Sequence, residues 1–247
     1  MRNRLPQIVV LDLDNTIYDY DVCNKKATEE VINLLVSKIK ISKTEALKIW
    51  TQGRASIKKR LKNTAASHSR ILYIREGFNL FGFKSELSLC LEIENMYWNT
   101  FIIEMKIRKG FEDFINLARF NGIKVILVTD LTDQIQLRKI SFLGLENTFD
   151  FVITSELVGG DKISALPMKY LLSHLTNEEK KSHFWFIGDS TNDFPQNNKY
   201  SKISHENFLI SNQMKSFAKI DKFKDFVKIE KILCQVLAKG SNSGKLK

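Results

Sequence analysis

Two carboxylates stand two residues apart where an apolar run ends: Asp12 and Asp14, after Ile8-Val9-Val10-Leu11. A run of this kind reads as a buried parallel strand, and in parallel sheets ligands bind beyond the carboxyl ends of the strands. Like charges that close repel, so the pair calls for a cation between them or a proton on one of them. Metal binding or acid/base chemistry follows. Three further groups stand in similar places. Thr129 follows Val125-Ile126-Leu127-Val128, Lys162 lies in the loop after a third run, and Gly188-Asp189-Ser190-Thr191-Asn192-Asp193 follows Phe184-Trp185-Phe186-Ile187. Asp12, Asp14, Asp189 and Asp193 offer the oxygen ligands that magnesium prefers. Thr129 and Lys162 can hold and neutralise phosphoryl oxygens, and an aspartate can serve as nucleophile. Together they make a coherent set for phosphoryl transfer.

For these residues to meet, the chain must bring several strand ends to one edge. Four further strand-like segments are expected at Lys124–Val128, Phe151–Thr154, Phe184–Ile187 and Phe208–Ile210. Helical spacing lies between them, at Phe111–Phe120, Asp133–Leu143 and Leu166–Leu175, with Gly122 and Gly144 as C-caps. This alternation predicts an α/β fold, a doubly wound parallel-sheet (Rossmann-like) core. The interval from Tyr18 to about Lys106 contains amphipathic helical stretches and no strand, with Ser42 and Glu45 spaced as a capping box. It reads as an inserted α-helical cap, residues 18–105, within a core of residues 1–17 and 106–247. Lys239 to Gly244 reads as a low-complexity, mobile tail.

At 247 residues and 43% hydrophobic, the chain has ample length for a core. Cys23, Cys90 and Cys234 form an odd, unpatterned set that argues against a disulfide framework, so a cytoplasmic setting is expected. No apolar run approaches the roughly 18 residues of a membrane span, and no signal peptide is read. No membrane partner is therefore expected. The net charge of +10 is unevenly spread. Residues 46–75 hold Lys48, Arg54, Lys58, Lys59, Arg60, Lys62, Arg70 and Arg75 with no acid, which fits either a solvated face or attraction of an anionic substrate. Within that stretch His68 and Arg70 stand at a helix start, a place that serves as an anion site or simply as a cap. Tyr18 and Tyr20 can line a substrate entrance or pack the cap on the core.

The ordered set of motifs resembles the haloacid dehalogenase-like (HAD) hydrolase superfamily over roughly residues 5 to 215, in the subclass with a helical cap after the first motif. The resemblance implies that Asp12 is the nucleophile and a magnesium ligand. It implies that Asp14 protonates the leaving oxygen and then activates water, its backbone carbonyl binding metal. Asp189 would ligate magnesium, and Asp193 would assist through water or by holding Lys162. Retention of Asp14 favours phosphate esters, because dehalogenases of the superfamily lack that second acid. Two departures stand out. Ile163-Ser164-Ala165 replaces the usual Pro-Asp-Pro, which leaves Lys162 or Lys169 as the phosphate-binding lysine, and Asp130 follows Thr129 where Asn is common.

The expected function is thus a magnesium-dependent phosphatase acting on a small phosphorylated metabolite, a sugar phosphate or nucleoside monophosphate, through an aspartyl-phosphate. The alternative is a nucleic-acid-binding or regulatory protein on a HAD-like fold, resting on the basic stretch. The intact acidic set favours the enzyme, so nucleic acid is not expected as a partner.

Overall fold

A computed structural model describes residues 4–84, 86–195, 203–211 and 221–243. In chain order the regular elements are β1 (Ile8–Leu11), α1 (Tyr20–Ile39), α2 (Lys43–Arg60), α3 (Arg70–Leu80), α4 (Leu87–Ile103) and α5 (Phe111–Phe120). They continue with β2 (Lys124–Thr129), α6 (Asp133–Phe142), β3 (Phe151–Thr154), α7 (Ser155–Val158), α8 (Leu166–Ser173) and β4 (His183–Gly188). The last are β5 (Ser204–Ile210), β6 (Asp221–Phe223) and α9 (Val227–Ser243).

The strands form one sheet in the order β3-β2-β1-β4-β5-β6, and every pairing is parallel. All four residues of β1 are buried because both faces of this central strand are covered. Val9 and Leu11 join Phe111 and Phe114 of α5 and Phe226, Ile229 and Leu233 near and in α9. Ile8 and Val10 pack on the other side with Leu171 and Leu175. The chain winds from β1 out to β3, then returns to add β4, β5 and β6 on the opposite flank. The order therefore reverses between β1 and β4, where Leu11 pairs with Ile187 and the Asp12 amide donates to the Ile187 carbonyl at 3.0 Å. Such a reversal leaves a crevice beyond the strand ends.

Helices α1 to α4 lie between β1 and α5. Asp19 caps α1, and the Ser42–Glu45 capping box at the start of α2 is present in both directions. A cap of this type is worth about 1 kcal/mol. Helices α2 and α3 pack closely enough to require glycine: a Cβ on Gly53 would stand 2.1 Å from the Tyr73 carbonyl oxygen. At the junction with the sheet, Tyr18 pairs with Ile107, and the Arg108 amide donates to the Ile17 carbonyl at 2.8 Å. The two strands of chain entering and leaving the helical region are thus tied together.

The expected C-cap glycines, Gly122 and Gly144, adopt φ of 67° and 69°. Three expectations are corrected. β5 begins at Ser204 and not Phe208, because its Ser204–Asn207 half is polar and half-buried. β6 has no apolar run to betray it. Lys239–Ser243 continues α9, while Gly244 lies outside the described residues. All three cysteines are free. Among the described residues no helix is long and apolar enough to cross a membrane.

Candidate active site

The crevice at the strand reversal gathers Asp12, Asp14, Thr129, Lys162, Asp189 and Asp193 around one mouth, with Tyr20, Arg54, Lys58 and His68 on its helical side. Asp12 directly follows β1 and is 3% exposed. Its Oδ2 accepts a hydrogen bond from Thr16 Oγ1 at 2.8 Å, which fixes the carboxylate plane and leaves Oδ1 to Lys162 Nζ at 2.5 Å. The same ammonium stands 2.5 Å from Asp193 Oδ1. Lys162, and not the exposed Lys169, therefore reaches the site. The loop carrying it is held without the usual prolines. Asp130 Oδ1 accepts from the Lys162 backbone amide at 2.9 Å and from Ser155 Oγ at 3.0 Å. The departure at Asp130 is thereby explained as a buttress for the lysine loop.

Asp189 and Asp193 come from the turn that ends β4. Ser190 and Asp193 cap that turn reciprocally, and the Ser190 amide donates to Asp193 Oδ2 at 2.8 Å. Gly188 makes this possible, since a Cβ there would lie 2.3 Å from Asp193 Oδ2. One carboxylate oxygen each from Asp12, Asp189 and Asp193 lies within 4.8 Å of the others. The electrostatics reflect that crowding. Burial, then Asp193, push Asp189 up to about 7. Burial also pushes Asp12 well above the ordinary carboxylate range, against the pull of Lys162 and reinforced by Asp193 and Asp189. Lys162 is raised: burial disfavours its charge, but Asp12, Asp193 and Asp130 outweigh that. Three hard oxygen donors with a surplus of negative charge fit a divalent cation.

Asp14 points to a different set of partners. Tyr18 Oη donates to Asp14 Oδ1, and Lys139 Nζ lies 2.8 Å from Oδ1 and 3.1 Å from Oδ2. Gln136 Nε2 stands 3.4 Å from Oδ2 and donates to Thr129 Oγ1 and to the Asp130 carbonyl, each at 2.6 Å. The Thr129 hydroxyl, accepting from that amide, itself donates to the Asp130 carbonyl at 3.4 Å. Burial alone would raise Asp14, yet the Lys139 ammonium and the bonds from Lys139 and Tyr18 bring it below the usual range. Neither Gln136 nor Lys139 is among the residues expected from sequence. Their only signal is a three-residue spacing on α6, beside the buried Ile135 and Ile140.

Two expectations for substrate contact are corrected by burial. Tyr18 is fully buried and serves Asp14; Tyr20 takes the place at the mouth. Arg70 is 4% exposed, its guanidinium donating to Tyr20 Oη, Tyr97 Oη and the His68 carbonyl at 2.6–2.8 Å. It also lies 4.5 Å from the Trp98 ring centroid, so it ties the helical region together. His68 does reach the mouth, bridging Lys58 Nζ at 2.9 Å and Asp161 Oδ2 at 3.2 Å. The basic stretch is dispersed in consequence: Arg70 is internal, Arg60 pairs with Glu76, and Arg54 and Lys58 face the mouth.

Comparisons with known proteins bear on the family and the fold. The haloacid dehalogenase-like hydrolase family profile matches residues 6–195. A ribulose-1,5-bisphosphate 5-phosphatase from Halopiger xanaduensis is 28% identical over 182 residues, covering 73% of this chain and 75% of the relative. Among solved structures, YfnB from Bacillus subtilis, bound to magnesium, superposes with a TM-score of 0.64 at 15% identity, covering 94% of this chain and 99% of that one. A variant of CbbY from Rhodobacter sphaeroides in complex with xylulose-1,5-bisphosphate gives 0.57 at 14% identity, covering 91% and 96%. The chain belongs to the haloacid dehalogenase-like hydrolases.

Proposed function

We propose that this hydrolase is a magnesium-dependent phosphoric monoester hydrolase that acts on a small sugar phosphate through an aspartyl-phosphate on Asp12. The observation that carries the reading is the convergence of Asp12, Asp189 and Asp193 within 4.8 Å, with Lys162 between two of them. Those three carboxylates would hold magnesium, joined by the Asp14 carbonyl that the family resemblance implies. Bound there, the ion would neutralise charge on the phosphoryl oxygens.

The chain's own groups supply the rest. Asp12 attacks phosphorus, the bond from phosphorus to the sugar oxygen breaks, and Asp14 delivers the proton that the leaving oxygen needs. Asp14 then takes a proton from water, which attacks phosphorus, frees inorganic phosphate and restores Asp12. Asp14 enters the first half protonated, and the Lys139 ion pair stabilises the anion that it becomes as that proton leaves, the form the second half requires. Lys162 and Thr129 orient and neutralise the transferring group, where most of the catalysis in such reactions lies.

The helical region, residues 18–105, acts as the cap over this chemistry. Arg54, Lys58 and His68 line the cap side of the mouth, and burial, then Arg54 and Arg70, pull Lys58 down to about 8. Cations crowded enough to repel one another suit a second anionic group on the substrate. A sugar bisphosphate meets that demand, in keeping with the named substrate of the Halopiger relative and the ligand bound to CbbY.

The test is phosphate release from a panel of sugar mono- and bisphosphates and nucleoside monophosphates with magnesium. Turnover by the wild type, lost in Asp12→Asn and on chelation, is expected. A panel that yields no phosphate, or equal release by Asp12→Asn, would overturn the reading.

A further inference from the structure

Lys139 is the most deeply enclosed charge near the site. Its side chain is 0% exposed, and its ammonium contacts the Asp14 carboxylate on one side. On its other sides stand the rings of Tyr18, Tyr20, Trp98 and Phe101, with centroids 5.1–5.9 Å away. A lysine in such a shell is costly, and an apolar side chain of similar volume would serve packing as well or better. Three residues earlier on the same helix, Gln136 is also fully buried and holds Thr129 and Asp14. Helix α6 thus presents two polar groups, one turn apart, to two groups of the reaction.

We propose that Lys139, with Gln136, is a positioning residue that fixes the Asp14 carboxylate for proton transfer to the leaving oxygen. The inference rests on the phosphatase reading and deepens it. Without Lys139, Asp14 keeps only Tyr18 and the long contact to Gln136, and its carboxylate is free to turn about χ1 and χ2. Tyr20, Trp98 and Phe101 belong to the cap helices, so the shell that seals Lys139 is complete only with the cap in place. Misplacing the acid must cost most where the leaving oxygen most needs a proton.

That dependence supplies the test. Two esters are compared by kcat/KM with magnesium: a sugar phosphate, whose alkoxide leaving group needs protonation, and p-nitrophenyl phosphate, whose phenolate does not. Wild-type turnover of both, absent in Asp12→Asn, secures the phosphatase reading independently. Lys139→Met is then expected to lose about 10²–10³-fold on the sugar phosphate and less than about tenfold on the aryl ester, the scale of general acid catalysis. Lys139→Gln, which keeps one donor, should recover part of the sugar-phosphate loss. Equal losses on the two esters, or none on either, would overturn the proposal. If Lys139→Met does not fold, as judged by circular dichroism, the same comparison is made with Lys139→Gln, for which equal losses again contradict it.

Discussion

Lys162, largely shielded, and Lys139, fully buried, each pair with an aspartate of the first motif, yet their charges are shifted in opposite directions. Lys162 meets two carboxylates, Asp12 and Asp193, at 2.5 Å each, and its charge is held more firmly than in water. Lys139 meets one, among four aromatic rings, and burial lowers it by more than Asp14 raises it. The difference is one of counter-charges against desolvation. It also separates their work. Lys162 borders the opening where a phosphoryl group would arrive, whereas Lys139 is sealed behind the acid that it holds.

Removing each lysine should therefore damage different things. Lys162→Met is expected to lower kcat/KM about 10²–10³-fold on every ester, roughly 3–4 kcal/mol, as loss of a preorganised charge does. A loss that tracked leaving-group acidity would assign Lys162 the work given to Lys139. For Lys139, a double-mutant cycle between Asp14→Asn and Lys139→Met, followed by urea unfolding, should give a coupling of about 1–3 kcal/mol. A coupling near zero would make the pair incidental.

The candidate metal site, Asp12, Asp189 and Asp193, sharpens the comparison through pH. Asp189 is raised from 3.8 to about 7, chiefly by burial, so between those values the folded state holds more protons than the unfolded chain. Stability then declines as pH rises through that window. A cation binds the deprotonated form, so magnesium affinity should climb by up to about tenfold per pH unit to about pH 7 and flatten above it. Calorimetric titration from pH 5 to 8 checks this, and a flat profile would contradict it. The smallest effect belongs to the exposed pair Lys38–Glu92, 2.9 Å apart, whose double-mutant coupling should stay under about 1 kcal/mol.

Much of the site is legible in the sequence because its groups follow strands, and a parallel sheet must bring strand ends together. Asp12, Thr129 and Asp189 can be placed by that rule alone. Strands without an apolar run are not legible: β6 and the polar half of β5 draw their stability from pairing rather than from their own pattern. The support behind the site is hidden for a related reason. A buried Lys and Gln on α6 look like solvent-facing residues from sequence, because the rings that cover Lys139, those of Tyr18, Tyr20, Trp98 and Phe101, lie some forty positions earlier or more than a hundred. Arg70 misleads in the opposite direction, as a charge beside a helix start that long-range aromatic packing draws inside. Residues facing their own strand end can be read locally, while residues held by a distant element cannot.

In the proposed mechanism Asp12, paired with Lys162 and fixed by Thr16, accepts the phosphoryl group. Acid quenching during turnover, followed by borohydride reduction and peptide mass mapping, locates an acyl phosphate directly. Modification at Asp12 alone, dependent on substrate and magnesium, is expected. Modification at Asp14 or Asp189, or turnover with no trapped residue under conditions that retain the intermediate, would contradict it.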